Sequence, residues 1–87
     1  MSEKIILLNG FIFKAERLSA RKWMQLIKKS TDEDGKPSQL LTYENILKDV
    51  VISPKMQVDD FERVGDLEWL MAELINYQIK KTEEGEQ

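Results

Sequence analysis

The chain contains no histidine and no cysteine, and these two absences exclude many kinds of chemistry. Without histidine there is no imidazole base and no histidine metal ligand. Without cysteine there is no thiol nucleophile, no disulfide and no thiolate zinc site. The four glycines are isolated from one another, so no glycine-rich loop is available to hold a phosphate group. We therefore expect no enzyme activity, no cofactor and no metal site.

Long apolar runs are also missing from the chain. The longest, Ile5 to Leu8, is far too short to span a membrane, and no export signal is recognisable. The length of 87 residues and the 41% hydrophobic content are typical of one small folded domain, which we predict over residues 1–81. Residues 82–87 are predicted to form a flexible acidic tail. A cysteine-free chain without an export signal is typical of a cytoplasmic protein.

Charge is distributed unevenly along the chain. The net charge of −3 argues against nucleic acid as a partner. Residues 1–31 carry seven basic and two acidic side chains, a net +5, whereas residues 32–87 carry six basic and fourteen acidic ones, a net −8. This asymmetry is compatible with an ordinary solvated surface. It is also compatible with self-association or with a surface that orients a partner, although the solvated surface is the favoured interpretation.

The N-terminal residues predict a β-hairpin. Two apolar runs, Lys4–Leu8 and Phe11–Lys14, flank Asn9-Gly10, the residue pair that favours a type I′ turn. An isolated hairpin is marginal in water, so this one must pack on helices or pair with another chain. Its edge would be a ready place for strand addition.

Helices are predicted for most of the remaining chain. Ser19 is the expected N-cap of an amphipathic helix over residues 20–29, and Thr42 that of a helix over residues 43–51, which Ser53-Pro54 ends. Residues 30–39 between them read as a polar loop. A capping box of Asp59 and Glu62 opens a short turn over residues 60–64. Gly65 breaks it, and Asp66 caps the longest helix, residues 67–81. The fold class is α+β, mostly helical, with the hairpin packed on three to four helices.

The first predicted helix has a basic outer face. Trp23, a predicted core residue, lies on its apolar arc with Ala20, Met24, Leu26 and Ile27, which are also expected to face the core. The opposite arc holds four cations, which are Arg21, Lys22, Lys28 and Lys29. Such a face is an electrostatic footprint for nucleic acid, although no preceding helix completes a helix-turn-helix pair. The favoured interpretation is a face exposed to water or in contact with an acidic protein.

Trp69 lies away from the main apolar stripe of the last predicted helix, and Ala72 and Ile79 lie between it and that stripe. Two interpretations remain open. Either the helix packs on two sides within the monomer, or Trp69 is an exposed anchor for a partner, with Ile79 beside it.

Four segments together resemble the small tail assembly chaperones of long-tailed bacteriophages and prophages. They are the hairpin with Asn9-Gly10 and the following Leu18-Ser19, the polar insert with the helix over residues 43–52, the run Val51-Ile52-Ser53-Pro54-Lys55, and Val58-Asp59-Asp60-Phe61 leading to a helix with Leu67, Leu70 and Leu74. The resemblance implies a non-enzymatic protein of the host cytoplasm that binds the tape-measure protein and tail-tube subunits. The alternative is a small regulatory protein that binds nucleic acid through its basic helix.

Overall fold

The structure, a computed structural model, describes residues 3–80 and has the predicted α+β architecture. Its elements follow in the order β1 (Glu3–Leu8), β2 (Phe11–Glu16), α1 (Ala20–Lys29), α2 (Gln39–Asp49), β3 (Val51–Ser53), a short 3₁₀ helix (Val58–Asp60) and α3 (Val64–Ile79). The predicted acidic tail and Lys81 lie outside the described residues. No helix within residues 3–80 is long and apolar enough to cross a membrane.

The predicted hairpin is confirmed, including its turn. β1 and β2 are antiparallel, with Leu8 opposite Phe11 across the two-residue loop. Asn9 and Gly10 have φ values of 51° and 84°, the left-handed conformation that a type I′ turn requires at both positions. The sheet has a third strand that the sequence analysis missed, because β3 pairs antiparallel with β2 and leaves β1 at the edge.

The core lies between one face of the sheet and the helices. Ile6, Phe13 and Ala15 point inward from the sheet, and the Phe13 ring stacks on the Phe61 ring with centroids 6.4 Å apart. The helices and the start of β3 supply the other buried apolar side chains, which are Leu26, Ile46, Leu47, Val50, Val51, Leu67, Leu70, Met71 and Leu74. The helical layer thus covers only one face of the sheet.

α1 has the predicted bounds, and its two ends are held differently. At the start, the Ser19 hydroxyl accepts a hydrogen bond from the Lys22 amide at 3.2 Å. At the end, Ser30 is buried, donates its hydroxyl to the Leu26 carbonyl at 2.6 Å and accepts from Asn45 Nδ2 at 2.9 Å. The buried hydroxyl therefore satisfies its hydrogen-bonding capacity and ties α1 to α2.

The predicted bounds of α2 were wrong at both ends. The helix begins four residues earlier than predicted, at Gln39, because the Ser38 hydroxyl accepts from the Leu41 amide at 3.2 Å. Thr42 lies inside the first turn, where its hydroxyl donates to the Ser38 carbonyl at 2.8 Å. At the other end the helix stops at Asp49, since β-branched Val51 and Ile52 belong to a strand whose Val51 and Ser53 pair with β2.

The predicted break at Gly65 was also wrong. A turn over residues 60–64 is replaced by the 3₁₀ helix Val58–Asp60, in which Asp60 Oδ2 accepts from the Gln57 amide at 2.9 Å. α3 begins at Val64 and includes Gly65, whose helical cost of about 1 kcal/mol is small beside the burial of the apolar face of α3. Asp66 is therefore not the cap, and its carboxylate accepts from Asn9 Nδ2 at 2.7 Å.

Three hydrogen bonds and one cation–π contact join the open end of the hairpin to the end of α3. Arg17 Nε donates to the Tyr77 carbonyl at 3.0 Å, and the guanidinium lies 4.8 Å from the centre of the Tyr77 ring. The Gln78 side chain accepts from the Leu18 amide and donates to the Glu16 carbonyl, both at 2.9 Å. Together with the Asn9–Asp66 hydrogen bond, these contacts hold α3 alongside the hairpin at both ends of the hairpin.

The cap of α2 gives a direct test of its start. We expect Ser38→Ala to lower the free energy of unfolding by about 1 kcal/mol, because the Leu41 amide loses its acceptor. Thr42→Ala should cost clearly less, since alanine favours the helix interior. Urea unfolding followed by far-ultraviolet circular dichroism measures both. A larger loss for Thr42→Ala than for Ser38→Ala would contradict this assignment.

Candidate protein-binding surfaces

The outer sheet face, defined by Ile5, Leu7 and Ile12, is an apolar surface that the helices leave uncovered. Leu7 lies opposite Ile12 in the register, and Ile5 lies opposite Lys14, so these side chains are neighbours on one face. Ile5, Leu7 and Ile12 are 55%, 69% and 63% exposed. A contiguous apolar patch of this kind on a small protein is typical of a binding surface.

β1, the edge strand that carries Ile5 and Leu7, has an open hydrogen-bonding edge. Glu16 lies opposite Glu3 and donates its amide to the Val50 carbonyl at 3.0 Å, so the peptide groups of Glu16 point towards β3. In an antiparallel pair, when the peptide groups of one residue point away from its partner strand, those of the residue opposite do so too. The peptide groups of Glu3 therefore point away from β2 towards the open edge, and those of Ile5 and Leu7 do the same, because the direction repeats at every second residue. The edge has neither a proline nor a bulge within β1, and its charges are confined to its first two residues.

The outward face of α3 carries the predicted anchor residues. Trp69 is 45% exposed and Ile79 is 65% exposed, with exposed Ala72 and Asn76 between them. Of the two interpretations left open by the sequence, the structure agrees with an exposed Trp69. The ten residues that separate Trp69 from Ile79 correspond to about 15 Å along the helix. Trp23, by contrast, packs against the core as predicted.

The predicted basic face of α1 is exposed, but its four cations do not form one uniform surface. Lys29 Nζ makes an ion pair with Asp49 Oδ2 at 2.8 Å. Lys22 and Lys29 both line a shallow groove that also contains Glu16 and Asp49. These two carboxylates offset positive charge on that flank, which weakens its attraction for a phosphate backbone.

The other two cations lie beside apolar side chains that were predicted to face the core. Only Leu26 is fully buried on α1, whereas Met24 and Ile27 are exposed. The prediction overestimated the buried arc because α1 packs on the core through a narrow stripe. At 100° per residue, Met24 falls within about 60° of both Arg21 and Lys28, and Ile27 falls about 60° beyond Met24. We call these four residues the α1 row.

A groove separates the hairpin turn from the 3₁₀ helix and the start of α3. This turn groove has a volume of about 470 Å³. Its apolar walls include Phe11, Met56 and Phe61. Its polar lining contains three carboxylates and one guanidinium, from Asp60, Glu62, Asp66 and Arg63. The lining is therefore acidic overall.

Sequence reasoning missed the outer sheet face, although a signal for it is present. Four consecutive apolar residues, Ile5 to Leu8, place apolar side chains on both faces of β1, because side chains alternate along a strand. A single layer of helices covers only one of those faces. The turn groove has no comparable signal, since its walls come from segments about fifty residues apart.

Comparison with known proteins gives no further constraint on these surfaces. The chain matches no model of a protein family, no curated protein and no solved structure. Among residues 3–80 there is also no group of acidic side chains that could hold a metal ion.

Proposed function

We propose that this chain is a non-enzymatic tail assembly chaperone of the long-tailed bacteriophage type. It would bind the tape-measure protein, tail-tube subunits or both in the host cytoplasm during tail morphogenesis. The observation that carries the proposal is the uncovered outer sheet face with its open edge. The sequence resemblance supplies the identity of the partners.

The size of the outer sheet face suits a chaperone that must later release its partner. Burying the exposed parts of Ile5, Leu7 and Ile12 would contribute on the order of 1–2 kcal/mol for each side chain. Association costs at least about 4 kcal/mol in lost freedom of motion. One such patch therefore gives weak binding, and several copies along one long partner would give tight but reversible binding.

Trp69 and Ile79 offer a second contact on a different element. Their spacing along the outward face of α3 fits side-by-side packing with a helix, in which contacts recur every three or four residues. The tape-measure protein that the resemblance implies is a long helical partner. In this proposal the outer sheet face supplies most of the binding energy and α3 adds to it.

The proposal is tested by capturing partners with the tagged protein. We expect the products of neighbouring genes, above all a long helical tape-measure-like protein or a tube subunit, to be retained in moderate salt after nuclease treatment. An apolar contact should survive both conditions, whereas phosphate contacts weaken steeply as the salt concentration rises.

Loss of every partner on nuclease treatment would contradict the chaperone proposal and favour the nucleic-acid alternative. In that case the combined variant Arg21→Glu, Lys28→Glu and Lys29→Glu should abolish binding. The same variant should retain a protein partner that is held by the outer sheet face.

A further inference from the structure

We propose that the turn groove of one copy of this chain binds the α1 row of a second copy. The contact is between two different surfaces, so each copy offers one groove and one row. The inference goes beyond the proposed function, because it concerns the protein alone and requires no tail protein.

The α1 row has the chemistry of a peptide that fits an apolar groove with an acidic rim. Met24 and Ile27 are exposed on a helix that uses only Leu26 as a fully buried residue. Arg21 and Lys28 are exposed seven residues apart, two turns along the same side. Neither makes an ion pair with any residue between positions 3 and 80.

The turn groove complements both the apolar side chains and the positive charges of the α1 row. Phe11, half exposed, and the partly buried Phe61 provide apolar walls. The carboxylates of Asp60 and Asp66 accept hydrogen bonds only from neutral groups, the Gln57 amide and Asn9 Nδ2. No carboxylate of the groove forms an ion pair within the described part of the chain, so the groove, with three carboxylates against the one guanidinium of Arg63, presents net negative charge to a cationic partner.

A row cannot reach the groove of its own chain. α1 lies beside the open end of the hairpin, where Lys22 and Lys29 line a groove with Glu16, whereas the turn groove includes Asn9 at the hairpin turn. The two ends of a six-residue strand lie on the order of 20 Å apart. Although Lys29 pairs with Asp49 within the chain, Arg21 and Lys28 of the α1 row and the carboxylates of the turn groove lie on separate surfaces, which can meet only between molecules.

The contact is expected to be weak and sensitive to salt. A groove of about 470 Å³ admits a few side chains. A stable interface usually buries about 800 Å² on each partner, which is more than one helical row of two turns supplies. We expect association at protein concentrations in the hundred-micromolar range in about 50 mM salt, and dissociation at about 500 mM salt.

Sedimentation velocity of purified variants tests the proposal. A row variant carries Arg21→Gln, Met24→Gln and Lys28→Gln, and a groove variant carries Asp60→Asn and Glu62→Gln. Each alone should be monomeric, with its dissociation constant raised at least about tenfold. Mixed in equal amounts they should form a dimer and nothing larger, because only one intact row can meet one intact groove. A misfolded variant could not restore association in this way.

The matched control is Glu33→Gln with Glu68→Gln, which removes the same charge as the groove variant from exposed positions elsewhere. It should associate like the natural sequence. Three results would overturn the proposal: a natural sequence that stays monomeric in low salt, a mixture that stays monomeric, or a control as defective as the groove variant. A natural sequence that is monomeric but binds a lysine-rich peptide at the groove would make a foreign basic segment the occupant instead.

Discussion

Phe13→Ala is expected to remove most of the stability of this protein. The Phe13 side chain is 1% exposed, lies on the central strand of the sheet and stacks on Phe61. Truncating a buried phenylalanine costs about 3–5 kcal/mol, because it removes apolar contacts and leaves a cavity. Since an ordinary domain is stable by only about 5–15 kcal/mol, and small domains lie low in that range, the variant should unfold in low urea concentrations.

Ile12→Ala is the matched control for this prediction. Ile12 is the preceding residue on the same strand, but it points to the outer sheet face and is mostly exposed. Its replacement should cost about 1 kcal/mol or less, the range of strand preferences at exposed positions. Urea unfolding curves give both free energies. Equal losses for the two variants would show that the sheet does not bury the face assigned here.

The second large effect is expected on partner binding. The combined variant Ile5→Thr, Leu7→Thr and Ile12→Thr removes the outer sheet face while keeping residues that favour strands. In the proposed function its affinity for the captured partner should fall more than about tenfold, because each threonine contributes less apolar burial. The affinity is measured by titrating the purified partner, and circular dichroism shows whether the fold is kept.

Trp69→Ala is the companion variant, and it separates the two candidate surfaces. We expect it to weaken binding less than the threonine variant does, since Trp69 is the second contact in the proposal. A folded threonine variant with unchanged affinity would rule out the outer sheet face. Loss of binding in Trp69→Ala alone would move the site to α3.

Short-range signals in the sequence predicted part of this fold correctly. Asn9-Gly10 specifies its turn through backbone conformation alone, and Ser19 caps α1 through a hydroxyl three residues from its donor. Both depend on neighbours in sequence. The wrong predictions concern features that residues adjacent in sequence do not determine. Ser38 and Thr42 are both good capping residues, and only the fold determines that Ser38 is the cap.

β3 and the binding surfaces depend on contacts between distant segments. Val51 and Ile52 fit a buried helix end as well as a short strand, and their pairing with β2, more than thirty residues earlier, decides between the two. Which apolar side chains remain exposed also depends on contacts between distant segments. The sequence shows that Ile5, Leu7 and Met24 are apolar, but the packing of the helices determines which apolar faces remain uncovered.

The contacts between the hairpin and α3 have a consequence for folding during synthesis. Asn9 bonds to Asp66, Arg17 to Tyr77 and Leu18 to Gln78, pairs separated by 57 to 60 residues. The hairpin is translated before α3, the helix that stabilises it, and a lone hairpin is marginal in water. During synthesis the hairpin therefore remains unpacked, with the apolar side chains of both faces exposed, until α3 is available. It becomes part of a stable domain only once residue 78 has left the exit tunnel.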